Sequence, residues 1–222
     1  MKAFVLLLII GLSSIVSNVR AQGGPIPVFP HYSVDIEELR NISKQKVSRL
    51  VDYLGAMTER YPELTYEQRC ARREKYRQAA LNLFIGKGVS YDLPGGRRCS
   101  AVEIEVTSTK YGKNRKRTSL YLKNLIGLAE DYYAEVSISN YDVIECSDIK
   151  PMADGWFVCT VSFTQEFVSR RKDSNKYNDD LTEKEVQVYL KIDLDKNNRP
   201  KVWAYLGDIT AGETYVPRNP QR

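Results

Sequence analysis

The single histidine limits the chemistry available to this chain of 222 residues. A serine or cysteine nucleophile of the triad type needs a histidine within reach to take its proton. His31 lies in a Pro-rich stretch ahead of the first predicted helix and far from every cysteine, and the sequence has no C-x-x-C pair. We therefore predict neither a nucleophilic triad nor a zinc site.

Two short Gly-rich segments are candidates for phosphate-binding loops. Residues 86–88 read Gly-Lys-Gly and residues 94–96 read Pro-Gly-Gly, and neither matches a P-loop or a dinucleotide fingerprint. Both segments are predicted to be turns, and the sequence indicates no cofactor.

A carboxylate next to a tyrosine hydroxyl is the remaining acid–base option. Asp142 follows Tyr141, and Glu145 lies three residues further on, in a segment predicted to be a strand. A carboxylate base with a Tyr hydroxyl that polarises a carbonyl can isomerise or dehydrate a small substrate. The alternative is that these are solvated strand residues, and no catalytic residue is assigned.

Four cysteines follow the N-terminal segment, and an even number in an exported chain is typical of two disulfides. We favour the sequential pairs Cys70–Cys99 and Cys146–Cys159, because Cys146 and Cys159 lie on two segments that read as hairpin partners. The alternative is four buried free thiols, since cysteine is also a good small core residue.

Residues 1–21 have the features of a secretory signal peptide. Lys2 precedes an apolar run over residues 3–12, and Val19 and Ala21 place small residues at positions −3 and −1 of a cleavage site. The alternative is an uncleaved anchor. We predict cleavage after Ala21 and export to the periplasm or the extracellular space, with no membrane span in the mature chain.

The charge of the mature chain does not favour a nucleic-acid partner. Loss of Lys2 and Arg20 lowers the net charge from +5 to +3. The densest basic cluster is residues 110–117, predicted to be a loop. This cluster either binds an anionic partner or is simply solvated.

Hydrophobic periodicity predicts helices first and strands afterwards. One helix begins with the capping-box pattern of Asp35 and Glu38 and stops before Pro62, and a second begins at Thr65 with Gln68 and ends near Gly86. A third, short helix is capped by Thr118. The predicted strands are residues 102–106, 133–149 (bent near Asn140), 156–168, 186–194 and 201–209, with a polar loop at 169–182.

The resulting order is α-α-β-α-β-β-β-β, which indicates an α+β fold with helices packed in a curved antiparallel sheet. We divide the chain into a signal peptide (1–21), a Pro/Gly linker (22–33), one domain (34–212) and a C-terminal tail (213–222).

Aromatic residues on the strands suggest two kinds of surface. Phe157, Phe163 and Phe167 share one strand face, so they either pack in the core or line a pocket. The aromatics of opposite parity, predicted to lie on the outer face, are Tyr189, Trp203 and Tyr205. An exposed aromatic patch is typical of an interface, and a homodimer is one possible use of it.

The element order, the lengths of the last strands and three segments (102–107, 155–167 and 202–209) resemble exported bacterial members of the nuclear-transport-factor-2-like superfamily. The resemblance spans residues 34–212 and implies a cystatin-like α+β cone. The superfamily includes isomerases, dehydratases and members that only bind or dimerise, so the fold does not choose the function.

The sequence favours a non-catalytic, exported binding or interaction module of the cell envelope, which holds a small ligand or a protein partner. Two alternatives stay open. One is a small isomerase or dehydratase that uses a carboxylate and a Tyr, and the other is a structural subunit of an envelope assembly.

Overall fold

The computed structural model describes residues 26–29, 32–108, 112–174 and 176–216. The predicted signal peptide and His31 lie outside these residues. The helices are α1 (Ile36–Thr58), α2 (Tyr66–Leu81) and α3 (Thr118–Gly127), and a π-helical turn (Leu128–Tyr132) extends α3.

In the described residues, twelve strands complete the α+β fold. In chain order they are β1 (Ile26–Phe29), β2 (Tyr32–Val34), β3 (Tyr91–Leu93), β4 (Arg97–Cys99), β5 (Glu103–Ser108), β6 (Gly112–Arg117), β7 (Tyr133–Asn140), β8 (Glu145–Cys146), β9 (Lys150–Pro151), β10 (Trp156–Arg171), β11 (Tyr177–Leu194) and β12 (Pro200–Tyr215). Strands β1 and β2 pair with each other inside the segment that we interpreted as a linker.

One large, curved and unclosed sheet dominates the molecule. Its strand order is β6-β5-β12-β11-β10-β7, and the short strands β8 and β9 pair with β10. We predict a purely antiparallel sheet from the sequence, but the sheet is mixed. Strand β5 runs parallel to β12, with Ile104 beside Ile209. This pair joins segments that are far apart in the sequence, so no local sequence pattern predicts it.

Helix α1 packs against one face of the sheet, which we call the core-facing side. The Asp35 carboxylate caps it by accepting the Glu37 backbone N–H at 3.0 Å, and the helix ends before Pro62 as predicted. Its buried side chains recur at helical spacing and include Leu39, Val47, Leu50 and Leu54. They pack with the inward residues of the long strands, which forms the hydrophobic core.

Helix α2 begins with the predicted capping box. The Thr65 backbone N–H donates to Gln68 at 2.9 Å, and the Gln68 backbone N–H donates to the Thr65 hydroxyl at 3.3 Å. The helix ends at Leu81, earlier than expected. Gly86 belongs to the following turn, where its φ of 69° suits glycine.

The hairpin of β10 and β11 is much longer than predicted. We expected a polar loop over residues 169–182, but β10 continues to Arg171 and β11 starts at Tyr177. The loop prediction failed because inward side chains in this region are polar, and a polar face on both sides of a strand resembles a loop.

The basic segment is a strand and not a loop over the part that the structure describes. Residues 112–117 form β6, which pairs antiparallel with β5. Lys113 and Arg115 each lie 3.2 Å from the Glu105 carboxylate, so cross-strand ion pairs hold this edge strand in place.

Two smaller boundaries also differ from the predictions. Thr118 is the first residue of α3 and not its cap, because its hydroxyl donates to the Val102 carbonyl at 2.9 Å. The predicted strand over 133–149 breaks at Asn140, and only the short β8 follows within it.

Candidate functional site

A cavity of about 760 Å³ opens on the core-facing side of the sheet, next to the far half of the β10–β11 hairpin. Helix α3 follows β6 at one edge of the sheet and leads through the π-helical turn into β7 at the other edge. Helix α3 therefore crosses over this side of the sheet, and the cavity lies between α3 and the strands.

The inward face of the hairpin changes character along its length. Near the turn between β9 and β10 this face is apolar and packs in the core, with Cys159 and Val161 opposite Val188 and Val186. Further along, the same parity presents a polar set of cavity-lining residues, namely Gln165, Thr182, Asp180, Asn178 and Lys184.

Lys184 lies at the inner end of the cavity, next to the core. Its residue exposure is 6%, and its ammonium donates to the Glu105 carbonyl at 2.8 Å. Burial lowers the pKa of Lys184 from 10.5 to about 8; the nearby Glu105 charge raises this pKa and Lys113 lowers it. Lys184 is therefore a buried cation whose charge solvent does not stabilise.

Strand β5 contributes a second polar group at this end. Thr107 lines the cavity, and its Oγ1 is buried without a hydrogen-bond partner among the residues that the structure describes. The Glu105 carbonyl that binds Lys184 lies two residues earlier on the same strand. The Glu105 carboxylate is already engaged, because hydrogen bonds from Arg115 and Lys113 hold its pKa below the ordinary value.

The middle of the cavity is apolar. Phe167 lies opposite Asp180 on the hairpin, and its ring packs edge-on against Tyr133 with centroids 6.1 Å apart. Leu125 of α3 and Leu128 of the π-helical turn line the facing wall. An apolar wall with a few polar groups is typical of a small-molecule site.

Tyr121 brings one further polar group from α3. Burial raises the pKa of Tyr121 to about 12, and a side-chain hydrogen bond with Gln165 opposes part of that rise. The phenol therefore stays protonated at neutral pH. Asn124 lies one helical turn further on and also lines the cavity.

Charged residues surround the outer end of the cavity, at the tip of the hairpin. Arg171 forms an ion pair with Asp173, and Lys172 donates to the Glu130 carbonyl of the π-helical turn. Lys176 is exposed there, and Asn178 donates to the Ser169 hydroxyl at 3.3 Å.

The three phenylalanines predicted to line a pocket separate in the structure. Phe167 lines the cavity, whereas Phe157 and Phe163 are buried in the hydrophobic core. All three have the same parity on β10, so position along the strand decides which of them meets the cavity. Spacing in the sequence shows which face of β10 a side chain lies on. It does not show how far the hydrophobic core extends along that strand.

The carboxylate and tyrosine considered for catalysis lie away from this cavity. Asp142 accepts the Thr164 backbone N–H at 2.9 Å and its hydroxyl at 2.7 Å, on the face of β10 opposite to the cavity. Asp142 and Glu145 border a separate depression on that face. Tyr141 is exposed and lines neither space.

The predicted outer aromatic surface is wrong for one of its three members. Trp203 is 41% exposed, and Tyr205 stacks on Trp156 with ring centroids 6.1 Å apart. Tyr189 is only 7% exposed, because its ring packs over Gly207 and its hydroxyl donates to Gln187 at 3.0 Å. Glycine lacks the side chain that would otherwise hold this ring away from the sheet.

All four cysteines are free thiols in the structure, and the two disulfides stay a prediction. The register places Cys146 opposite Val161, so Cys159 lies diagonally across from it. The two thiols make a side-chain hydrogen-bond contact and are not covalently bonded. The Cys159 thiol donates to the Ser43 hydroxyl at 3.4 Å, and a contact with Cys146 lowers the pKa of Cys159. Cys70 and Cys99 are also unbonded.

The polar lining residues of β11 escaped the sequence analysis. The sequence contains a pattern that could have identified them. Every second residue over 178–184 is Asn, Asp, Thr or Lys, and these residues have the same parity as the buried Val186 and Val188. If the alternation of β11 is continued toward the N-terminal end of the strand, these side chains fall on the core-facing side of the sheet.

Comparison with protein-family models and with curated proteins finds no match to this sequence. Within the described ranges, no group of three or more His, Cys, Asp or Glu side chains is arranged to hold a metal ion. No helix in that part of the chain combines the length and the apolar character needed to cross a bilayer.

Proposed function

We propose that the protein is a non-catalytic binding protein that holds a small molecule in the cavity under α3. The observation that carries the proposal is the cavity itself, whose volume of about 760 Å³ falls in the range of ligand sites. Its apolar middle supplies burial, and the polar groups at its inner end supply orientation.

The arrangement of the hairpin supports a binding role for this space. A protein that needed only a packed core would continue the apolar inward pattern of β10 and β11 to the hairpin tip. Here Gln165, Thr182 and Lys184 are buried polar residues on that face. Buried polar groups are costly unless they are paired, and these three are held by the Tyr121 phenol, the Thr214 hydroxyl and the Glu105 carbonyl. Polar groups fixed at the wall of an apolar cavity are typical of a site that orients a ligand.

The catalytic alternative gains less support from the geometry. It was based on Asp142 with Tyr141, or on Glu145, and these residues lie on the opposite face of β10 or in solvent. The nuclear-transport-factor-2-like cone stays part of the proposal. It is supported by the curved sheet with α1 across its core-facing side.

Binding is tested with N-phenyl-1-naphthylamine, an uncharged apolar dye whose fluorescence rises in an apolar site. We expect saturable binding by the wild-type protein and its loss in Asn124→Trp, because an indole at this lining position fills the cavity. Lys123→Trp is the matched control, since Lys123 is the exposed neighbour on the same helix. Equal dye binding by the two Trp variants, or no saturable binding by the wild type, would refute the proposal.

Export to the cell envelope is a second part of the proposal, supported by the pattern of residues 1–21. The full-length chain should be processed after Ala21, so N-terminal sequencing of the exported protein should begin at Gln22. As a control, Ala21→Arg should prevent processing at this bond. A mature chain that keeps residues 1–21 would contradict cleavage and favour the anchor.

A further inference from the structure

We propose that the ligand of the cavity is an amphipathic monocarboxylate, an apolar chain or ring system whose single carboxylate binds Lys184 and Thr107. This inference rests on the proposed binding function and names its ligand class. It follows from the groups at the inner end, the charges around the cavity and its apolar middle.

Lys184 is the first element of the argument. It lies at the inner end of the cavity at 6% exposure, and the hydrogen bond that the described residues give its ammonium goes to the Glu105 carbonyl. An ammonium can donate three hydrogen bonds, so it has capacity left on the cavity side. An anion seated there would compensate the charge of this largely buried side chain.

Thr107 provides a second donor for the same anion. Thr107 is one of the residues that line the cavity, and its Oγ1 is buried with no hydrogen-bond partner in the described part of the chain. Because Thr107 follows Glu105 by two residues on β5, its hydroxyl lies on the strand to which Lys184 is already bound. An unpaired buried hydroxyl is uncommon in native structures and suggests a missing partner.

The charges of the cavity wall favour an anionic ligand. Four cationic side chains line it, and Asp180 is the carboxylate among the described lining residues; the cations are Lys116, Arg171, Lys176 and Lys184. Lys176 is exposed at the outer end, where it can attract an anion toward the opening. The buried cation then binds the charge after it enters.

The apolar part of the ligand has a matching surface. Between Lys184 at the inner end and Asn178 at the outer end, β11 runs for roughly 20 Å at ~3.3 Å per residue. Phe167, Tyr133 and Leu128 line this stretch. The site therefore suits an elongated apolar body attached to one charged end.

The number of buried donors favours a carboxylate over a phosphate. Arg171 is occupied by Asp173, and Glu105 already engages Lys113 and Arg115. Among the cations that line the described cavity wall, Lys184 is the buried one, and together with the Thr107 hydroxyl it matches the two oxygens and the single charge of a carboxylate. A phosphate would bring a larger charge and more oxygens than these two groups neutralise.

The experiment measures displacement of N-phenyl-1-naphthylamine from the full-length mature protein by four compounds with the same chain: dodecanoate, dodecan-1-ol, dodecylamine and dodecyl phosphate. We expect dodecanoate to displace the dye at a concentration at least about tenfold lower than the other three. This factor corresponds to the loss of one hydrogen bond to a charged group.

Two variants test whether Lys184 and Thr107 cause the preference for dodecanoate. Lys184→Met should retain dye binding and lose the preference for dodecanoate over dodecan-1-ol. Thr107→Val, which conserves shape, should reduce the preference about threefold and serves as the test if Lys184→Met fails to fold. Lys123→Met is the matched control, because Lys123 is exposed on α3 and does not line the cavity, and this variant should keep the preference.

The failures of the two proposals are distinguishable. Absence of saturable dye binding by the wild type overturns the binding function and this inference with it. Dye binding with equal displacement by dodecanoate and dodecan-1-ol overturns the carboxylate alone, as does a preference for dodecyl phosphate or dodecylamine. A carboxylate preference that survives in both Lys184→Met and Thr107→Val overturns the assignment to these residues.

Discussion

Lys184 sits in surroundings that disfavour its charged form, and this couples the stability of the protein to pH. In the unfolded chain its pKa is the ordinary 10.5, and in the folded protein burial lowers it to about 8. Below pH 8 the side chain is protonated in both states, and the folded state carries the full cost of burying the charge. Between pH 8 and 10.5 the unfolded state binds more protons, so this cost disappears as pH rises.

We therefore expect Lys184→Met to be more stable than the wild type at pH 7. The shift of the pKa from 10.5 to about 8 corresponds to about 3 kcal/mol. The difference should shrink as pH rises from 8 to 10.5. Urea unfolding at several pH values measures it, with Lys176→Met as the exposed control. A difference between wild type and Lys184→Met that is independent of pH would contradict the assignment.

Gly207 is the residue that allows Tyr189 to lie flat against the sheet. A Cβ at position 207 would lie 2.7 Å from Cε2 of the Tyr189 ring, which is too close for any real contact. Gly207→Ala should lower the free energy of unfolding by about 1–3 kcal/mol through this overpacking.

Gly127→Ala is the matched control for Gly207→Ala. Gly127 has a helical φ of −60°, and a Cβ there would meet nothing within 4 Å. This substitution should be neutral, or stabilising by up to about 1 kcal/mol through helix propensity. Thermal or chemical unfolding that ranks the two variants equally would show that the Tyr189 ring does not constrain position 207.

At the scale of elements, an ion pair joins α2 to the wall of the cavity. Arg73 of α2 is 2% exposed and forms an ion pair with Glu130 in the π-helical turn, and it also donates to the Glu59 carbonyl at 2.6 Å. Arg69 contacts the same carboxylate at 3.4 Å. Because Leu128 and Tyr132 of this turn line the cavity, the ion pair positions part of its wall.

Glu130→Ala should destabilise the protein by about 3 kcal/mol or more, because it leaves the Arg73 charge buried without a counter-ion. Asp131→Ala is the matched control, since Asp131 is the adjacent, exposed residue. Urea unfolding monitored by tryptophan fluorescence compares the two. Similar unfolding midpoints for both variants would mean that the ion pair contributes little.

At the scale of the whole molecule, the prediction of a homodimer is based on the aromatic residues of the outer face of the sheet. Trp203 is exposed there with the Lys201 ammonium 4.0 Å from its ring centroid, and Tyr205 is half-buried beside it. The burial of Tyr189 makes the aromatic surface smaller than predicted. The dimer itself stays a prediction.

Trp203→Asp tests the dimer, because a carboxylate at the centre of an apolar contact would have to be desolvated on association. We expect sedimentation velocity to show a dimer for the wild type and a monomer for Trp203→Asp, with unchanged circular dichroism. Tyr141→Asp changes another exposed aromatic and should leave the dimer intact. A wild-type monomer, or a Trp203→Asp dimer, would contradict the prediction.

The sequence by itself determined the features that depend on near neighbours in the chain. The capping residues Asp35 and Thr65, the helix end before Pro62 and the apolar alternation from Phe157 to Phe163 all follow from local propensity and periodicity. These patterns suffice for the α+β class, because each is settled within one or two turns or strands.

Only the tertiary structure decided which inward residues meet a cavity and which meet the core. Phe163 and Phe167 have the same type, parity and strand, yet α1 and its core cover one of them and α3 spans a space above the other. The buried state of Lys184 and the diagonal placement of Cys146 and Cys159 likewise depend on strand register and on the parallel β5–β12 pair. Such contacts join residues far apart in sequence, so no local pattern encodes them.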